Sequence, residues 1–203
     1  MTTISIIGSG NMATAIGTRA VEHGHTVELL SRNAGTAQAL ADKIGAGATV
    51  GTYGARPAGE IVIVAVLYGG VVDAVSSFGD ALAGKILVDI SNPFNADADA
   101  LVTLSSAAQE IAAVAPQGAH VIKALNTIFG HVLAKGTPLD AFMAGDSAEA
   151  KATLGELLGS LELRALDAGG LQAASLLESA GLLLMGLARN GAGFELALGA
   201  EVR

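Results

Sequence analysis

Short apolar runs alternate with longer amphipathic stretches along almost the whole chain. Residues 3–7 (TISII) and 26–30 (TVELL) are β-branched and apolar, the pattern of buried strands. Between them lies a stretch of helical period that reaches residue 23. A second helical stretch covers 34–44 and stops at Gly45, followed by a short strand at 48–51. Residues 60–66, apolar after Glu60, form a run of the kind found in a central parallel strand covered on both faces. The same alternation predicts a helix at 71–78, a strand at 85–90, a helix at 105–114 and a strand at 120–124. Next come a short strand at 141–144, a helix at 148–159 behind the cap residue Ser147, and a strand at 162–166. After Gly169-Gly170, residues 171–187 predict a strongly apolar helix. Strands alternating with helices in this way imply a parallel sheet with helices on both faces.

The first strand runs into Gly8-Ser9-Gly10-Asn11-Met12-Ala13, a G-x-G-x-x-A turn that opens the first helix. In a strand–turn–helix context the spacing has a chemical meaning. Gly8 allows the tight turn, Gly10 lets a pyrophosphate approach the backbone, and Ala13 lets the helix pack closely on the strand. The free N–H groups at the helix start then face the phosphates. The bland alternative is a packing turn in an α/β domain that has lost its ligand. Ser31 and Arg32 follow the second strand, where an NAD site usually carries a carboxylate. A hydroxyl and a guanidinium suit a 2′-phosphate instead, which favours NADP. No second cation follows in Ala34-Gly35-Thr36-Ala37. The expected architecture is α/β: a Rossmann-type, doubly wound, mostly parallel sheet with a small C-terminal helical extension.

Composition narrows the partners. The chain has 203 residues, of which 51% are apolar, with 27 glycines, no cysteine and a net charge of −8. The absence of cysteine excludes disulfides, thiolate catalysis and thiolate metal sites, and no metal site is expected. The negative charge argues against nucleic acid or an anionic membrane as partner. The uncharged stretches 61–72 and 179–188 fall short of the ~20 residues a spanning helix needs. With the first strand beginning at residue 3, no leader segment is expected, and the default is a soluble cytoplasmic protein.

In an open parallel sheet the ligand lies beyond the carboxyl ends of the strands. That rule selects Val66-Leu67-Tyr68, Ser91-Asn92-Pro93 and Lys123-Ala124-Leu125-Asn126-Thr127. Leu67 and Tyr68 are candidates to pack on the ribose or ring, and Asn92, Asn126 and Thr127 to make polar contacts. Loop and turn chemistry explains asparagine and threonine equally well. No clear acid–base constellation stands out. Lys123 and Tyr68 are weak catalytic candidates, needed only if the acceptor is a ketone or imine. His131 follows a cleft loop, while His23, His25 and His120 lie away from it.

Five motifs together resemble the coenzyme F-420-dependent NADP oxidoreductase family. They are the N-terminal Ile-Ile-Gly-Ser-Gly-Asn-Met-Ala, the Ser-Arg after the second strand, Val-Asp-Ile-Ser-Asn-Pro-Phe at 88–94, Val-Ile-Lys-Ala-Leu-Asn-Thr-Ile at 121–128, and Asp-Ala-Gly-Gly-Leu at 167–171 with Leu177-Glu178 beyond it. The same superfamily includes pyrroline-5-carboxylate reductases and the reductase domains of membrane ferric reductases. The resemblance implies NADP(H) held through its phosphates by Ser9 to Met12 and through its 2′-phosphate by Ser31 and Arg32. Val66, Leu67, Asn92 and Ala124 would lie along the cofactor. A second substrate, coenzyme F-420 or a flavin, would stack on the nicotinamide.

The expected organisation is an NADP-binding domain at 1–145 and a small C-terminal part at 146–203 that completes the substrate cleft. The apolar crowding of Leu176, Leu177, Leu182, Leu183, Leu184 and Met185 suggests a homodimer through the C-terminal helix. The leading functional expectation is hydride transfer between NADPH and a deazaflavin or flavin. The alternatives are NADPH-dependent reduction of a small carbonyl or imine, and a non-catalytic NADP-binding sensor.

Overall fold

The computed structural model describes residues 1–201. Eight strands form one sheet in the order β3-β2-β1-β4-β5-β6-β7-β8. They are β1 (Thr3–Ile7), β2 (Thr26–Leu30), β3 (Ala48–Val50), β4 (Ile61–Val64), β5 (Ile86–Asp89), β6 (His120–Ala124), β7 (Leu139–Gly145) and β8 (Leu163–Asp167). The first six run parallel, and the order reverses direction between β1 and β4. Among the described residues, seven α-helices complete the fold: α1 (Asn11–Glu22), α2 (Ala34–Ile44), α3 (Val71–Phe78), α4 (Ala107–Val114), α5 (Gly130–Leu133), α6 (Ala148–Ser160) and α7 (Ala174–Leu187).

Both faces of the sheet are covered. Ile4, Ile6, Ile61 and Ile63 point to one side, where α1, α2 and α6 bring Ile16, Leu40 and Leu157 into the same core. Ile7, Val62, Val64 and Leu87 point to the other, against Val75 and Phe78 of α3, Ile111 of α4 and Ala174 of α7. This double burial explains why the strands read as continuous apolar runs. Arg19 of α1 is also buried. Its guanidinium donates to the carbonyls of Leu161 (2.6 Å), Leu133 (3.0 Å) and Thr137 (2.9 Å), so the charge is satisfied by backbone carbonyls at and after helix ends.

β7 departs from the simple alternation. It pairs antiparallel with β6, and β8 then pairs parallel with β7. The last strand–helix–strand unit is thus inverted and ends at the amino-terminal edge of the parallel strands. Leu171 N is tied there to Asp146 Oδ1 at 2.7 Å. From this edge α7 climbs back to the carboxyl ends of the parallel strands, which brings its second half to the cleft.

Local differences from the expected elements have simple causes. Strand β4 stops at Val64, and Tyr68–Gly70 forms a single tight turn rather than a strand end. Helix α5, only four residues long, is too short to show a helical period. Leu171–Ala192 is a helical run of 22 residues, long and apolar enough to cross a bilayer by length and composition. That corrects the sequence estimate, which counted only uncharged stretches and was interrupted by Glu178. Here Glu178 is wholly buried against the sheet in an ion pair with Lys123, as in a core helix.

Candidate active site

Gly8 leaves β1 with φ +123°, and a Cβ there would lie 2.2 Å from the carbonyl oxygen of Ala65. Only glycine fits this crossing of β1 and β4. Gly10 differs: a Cβ on it would meet nothing within 4 Å. The glycine turn therefore has a sealed inner side and an open outer side, at the start of α1. Ala13 is wholly buried where α1 rests on the sheet.

Beside this turn three hydroxyls converge. Ser9 Oγ lies 3.3 Å from Ser31 Oγ and 3.1 Å from Thr36 Oγ1, and the last two are 3.3 Å apart. Asn33 caps α2 by accepting from the Thr36 amide at 3.2 Å. The cluster sits at the start of α2, beside the exposed Arg32. Thr36 was missed as a candidate because a search for cations passes over a hydroxyl. From here a groove of about 660 Å³ runs along Gly8, Ser9 and Gly10 to Val66 and Leu67. Its other end is bounded by Tyr53, Ala74 and Ser77.

The groove continues into a second cavity of about 420 Å³, lined by Gly10, Asn11, Met12, Val66, Tyr68 and Asn92 among others. A third, of about 220 Å³, shares Met12, Ile90, Asn92 and Phe94 with it and is roofed by Gly181, Leu184 and Met185 of α7. Together they make a chamber at the carboxyl ends of β4, β5 and β6 whose lining carries no charged side chain. Leu125, in the left-handed region at φ 59°, turns the chain sharply after β6 and sets Asn126 against the chamber. Asn126 Nδ2 donates to Asn92 Oδ1 (2.9 Å) and to the Leu177 carbonyl (2.8 Å), while Asn92 Nδ2 donates to the Asn126 carbonyl. The pair ties the loops after β5 and β6 to α7.

Four buried polar atoms in this corner lack partners: Ser91 Oγ, Asn126 Oδ1, Thr127 Oγ1 and Glu178 Oε2. Unpaired buried polar atoms are rare in folded proteins.

The structure separates the sequence candidates. Gly8, Ser9, Gly10, Asn11, Met12, Ser31, Arg32, Val66, Leu67, Tyr68, Asn92 and Asn126 line the groove or the chamber. Pro93 and Ala124 are buried and back the lining. Lys123 is wholly enclosed. Its ammonium contacts Asp89 Oδ2 (2.7 Å), Glu178 Oε1 (2.7 Å) and the Ser91 carbonyl (2.5 Å), and it lines neither cavity. It braces the floor and does not face a substrate. Burial pushes the Glu178 carboxyl up from the ordinary range, and Lys123 opposes that shift. Tyr68 lines the chamber, but its hydroxyl donates to Glu110 Oε1 at 3.1 Å. Burial, and then the bond to Glu110, push its phenol up. His131 lies outside the chamber, where Nε2 contacts the carbonyl of Phe194 at 2.8 Å.

Comparison with known proteins agrees with this fold. The chain is 33% identical over 186 residues to the metalloreductase STEAP3 of Rattus norvegicus, covering 90% of this chain and 37% of that protein. It thus spans well under half the length of that relative. A structure from Arthrobacter sp. FB24, named for F420-dependent NADP-reductase, superposes over 100% of both chains with a TM-score of 0.85 at 22% identity. A reductive aminase from Aspergillus terreus, solved with NADPH and ethyl levulinate, matches with a TM-score of 0.65 at 24% identity, over 96% of this chain and 63% of that one. Residues 3–93 match the family described as NADP oxidoreductase, coenzyme F420-dependent.

Proposed function

We propose that this enzyme uses NADPH to reduce a small, largely apolar acceptor at a C=N or C=O bond. One observation carries the reading: a phosphate-ready groove opens directly into an uncharged chamber roofed by α7. Ser31, Arg32 and Thr36 would hold the 2′-phosphate of NADPH. Gly8 to Met12 would hold the diphosphate, for which the open side of Gly10 leaves room. When bound, the nicotinamide supplies the hydride. The chain's residues supply the rest. Met12, Ile90, Phe94 and Leu184 exclude water, and Asn92 and Asn126 fix the loops that shape the chamber.

The reading with coenzyme F-420 or a flavin as acceptor is favoured by the family match and by the lack of any need for a side-chain acid. Against it, coenzyme F-420 carries a phosphate and an acidic tail, and neither cavity of the chamber is lined by a lysine or arginine. A small acceptor needs no such handle.

The test is NADPH oxidation by the purified protein with a cyclic imine, a cyclic ketone, coenzyme F-420 and FMN in parallel. Turnover with the imine or ketone supports the proposal. Turnover with coenzyme F-420 alone overturns it, and tight NADPH binding with no turnover on any acceptor indicates a sensor.

We also propose that two copies meet along α7. Leu176, Leu183 and Leu187 are exposed, and the outward face between Gln172 and Arg189 carries no charge. In an antiparallel pairing Leu176 would meet Leu187, and Ala180 would meet Leu183, so the face complements itself. Light scattering should give a dimer mass that falls to the monomer in Leu183→Asp. A monomeric wild type would overturn the pairing.

A further inference from the structure

We infer that the chamber selects a cationic acceptor, an iminium, and that Tyr68 and Glu110 make the selection. This inference rests on the reading of the chamber as the acceptor site. Tyr68 lines the chamber wall, and its phenolic proton is committed to Glu110. The Tyr68 oxygen therefore has only lone pairs left to offer. It is a hydrogen-bond acceptor backed by a carboxylate. Glu110 is held in place from its other side by Thr103, whose hydroxyl donates to the same Oε1 at 2.7 Å. Both bonds converge on one carboxylate oxygen, Oε1.

The surrounding groups point the same way. A neutral ketone needs a donor to polarise its oxygen. Lys123 is enclosed by two carboxylates and a carbonyl, and Ser91 Oγ exposes almost no surface although the residue lines the chamber. Asn126 directs Nδ2 to Asn92 and Leu177. Asn11, an exposed amide at the start of α1, stands on the glycine-turn side, where the diphosphate would sit. An iminium needs no donor. Its N–H is itself a donor for the Tyr68 oxygen, and its positive charge is attracted by Glu110 across an apolar, weakly screening chamber.

The chemistry balances without an acid. Hydride from bound NADPH adds to the iminium carbon, the C=N π pair moves to nitrogen, and the products are a neutral amine and NADP⁺. No proton is transferred in this step. Tyr68 touches the acceptor, and Glu110 is a positioning residue that acts through it.

The test compares a five-membered cyclic imine, its N-methyl iminium salt and the corresponding cyclic ketone as acceptors, in the wild type, Glu110→Gln and Tyr68→Phe. NADPH affinity, read by fluorescence, should stay near the wild-type value in Glu110→Gln, and thermal unfolding should confirm that both variants fold. The wild type should favour both iminium forms over the ketone by at least about tenfold in kcat/KM. Glu110→Gln should shrink that preference about fivefold or more, because the charge is removed while a hydrogen-bond partner for Tyr68 is kept. Tyr68→Phe should penalise the N–H imine more than the N-methyl salt, which has no proton to give.

Two readouts need no turnover. Binding of N-methylpyrrolidinium in the presence of NADP⁺, measured by calorimetry, should weaken in Glu110→Gln. The chain has two tyrosines, so ultraviolet titration in a Tyr53→Phe background reports Tyr68 alone, and its ionisation should move down when Glu110 is replaced. A ketone reduced as well as the imine, or cation binding indifferent to Glu110, overturns the inference. Glu110-dependent cation binding without turnover on any acceptor leaves this inference standing and sinks the proposed reduction.

Discussion

Lys123 Nζ lies 2.7 Å from Glu178 Oε1, with both side chains wholly buried. The contact joins β6 to α7, and Asp89 of β5 holds the same ammonium. Glu178 Oε1 also accepts the Ala107 amide at the start of α4, so four elements meet under the chamber floor. Lys123→Met would leave two buried carboxylates facing each other. It should lower unfolding stability by about 3–5 kcal/mol in urea titration. Glu178→Gln should cost less, because Lys123 keeps Asp89. Equal losses in the two variants would mean that the pair is not the organising contact.

The glycine turn gives a prediction that separates folding from binding. Gly8→Ala places a methyl against the Ala65 carbonyl, in a backbone conformation that L residues avoid. It should destabilise the protein by more than about 2 kcal/mol. Gly10→Ala meets no protein atom and should leave the melting temperature unchanged while weakening NADPH binding at least about tenfold. Calorimetry with NADPH beside thermal unfolding checks both. A Gly10→Ala protein that binds normally would remove the phosphates from this turn.

The hydroxyl cluster predicts cofactor choice. Arg32→Ala should weaken NADPH binding roughly 10- to 100-fold, the value of one or two charge-assisted hydrogen bonds, and leave NADH binding nearly unchanged. Thr36→Val should produce a smaller loss of the same kind, because Thr36 is within 3.3 Å of Ser31 and 3.1 Å of Ser9. Parallel losses for NADPH and NADH would show that the cluster does not read the 2′-phosphate.

Acid sensitivity has an identifiable source in the β7–β8 edge. Arg164 Nε and Nη2 each lie 2.7 Å from an oxygen of Asp140. These bonds hold the Asp140 carboxyl below the usual aspartate range, with the Ala200 amide assisting. A depressed folded pKa stabilises the protein above the unfolded value. That stabilisation is lost as pH falls from about 4 through the folded value. Stability measured in urea between about pH 5 and pH 2 should therefore fall less steeply in Asp140→Asn than in the wild type. Identical slopes would exclude this pair as a contributor.

The amino-acid sequence by itself determined the strand–turn–helix–strand opening, because those features are local. The period of residues 3–7 and 26–30, the two glycines and the Ser31-Arg32 step each depend on neighbours a few positions away. It also determined a doubly wound sheet, since runs such as 61–64 are apolar on both alternating faces. Only the tertiary structure decided the inversion of β7, because antiparallel and parallel strands read alike and the direction is set by pairing with β6. The fate of individual polar residues was decided there too. Lys123 stands at a strand's carboxyl end in the sequence, yet Asp89 and Glu178 reach it from 34 and 55 positions away and close it off. Tyr68 meets Glu110 across 42 positions, and Thr36 meets Ser9 across 27. Such contacts follow from which strands lie side by side and which helix crosses them, and one-dimensional spacing carries no record of either.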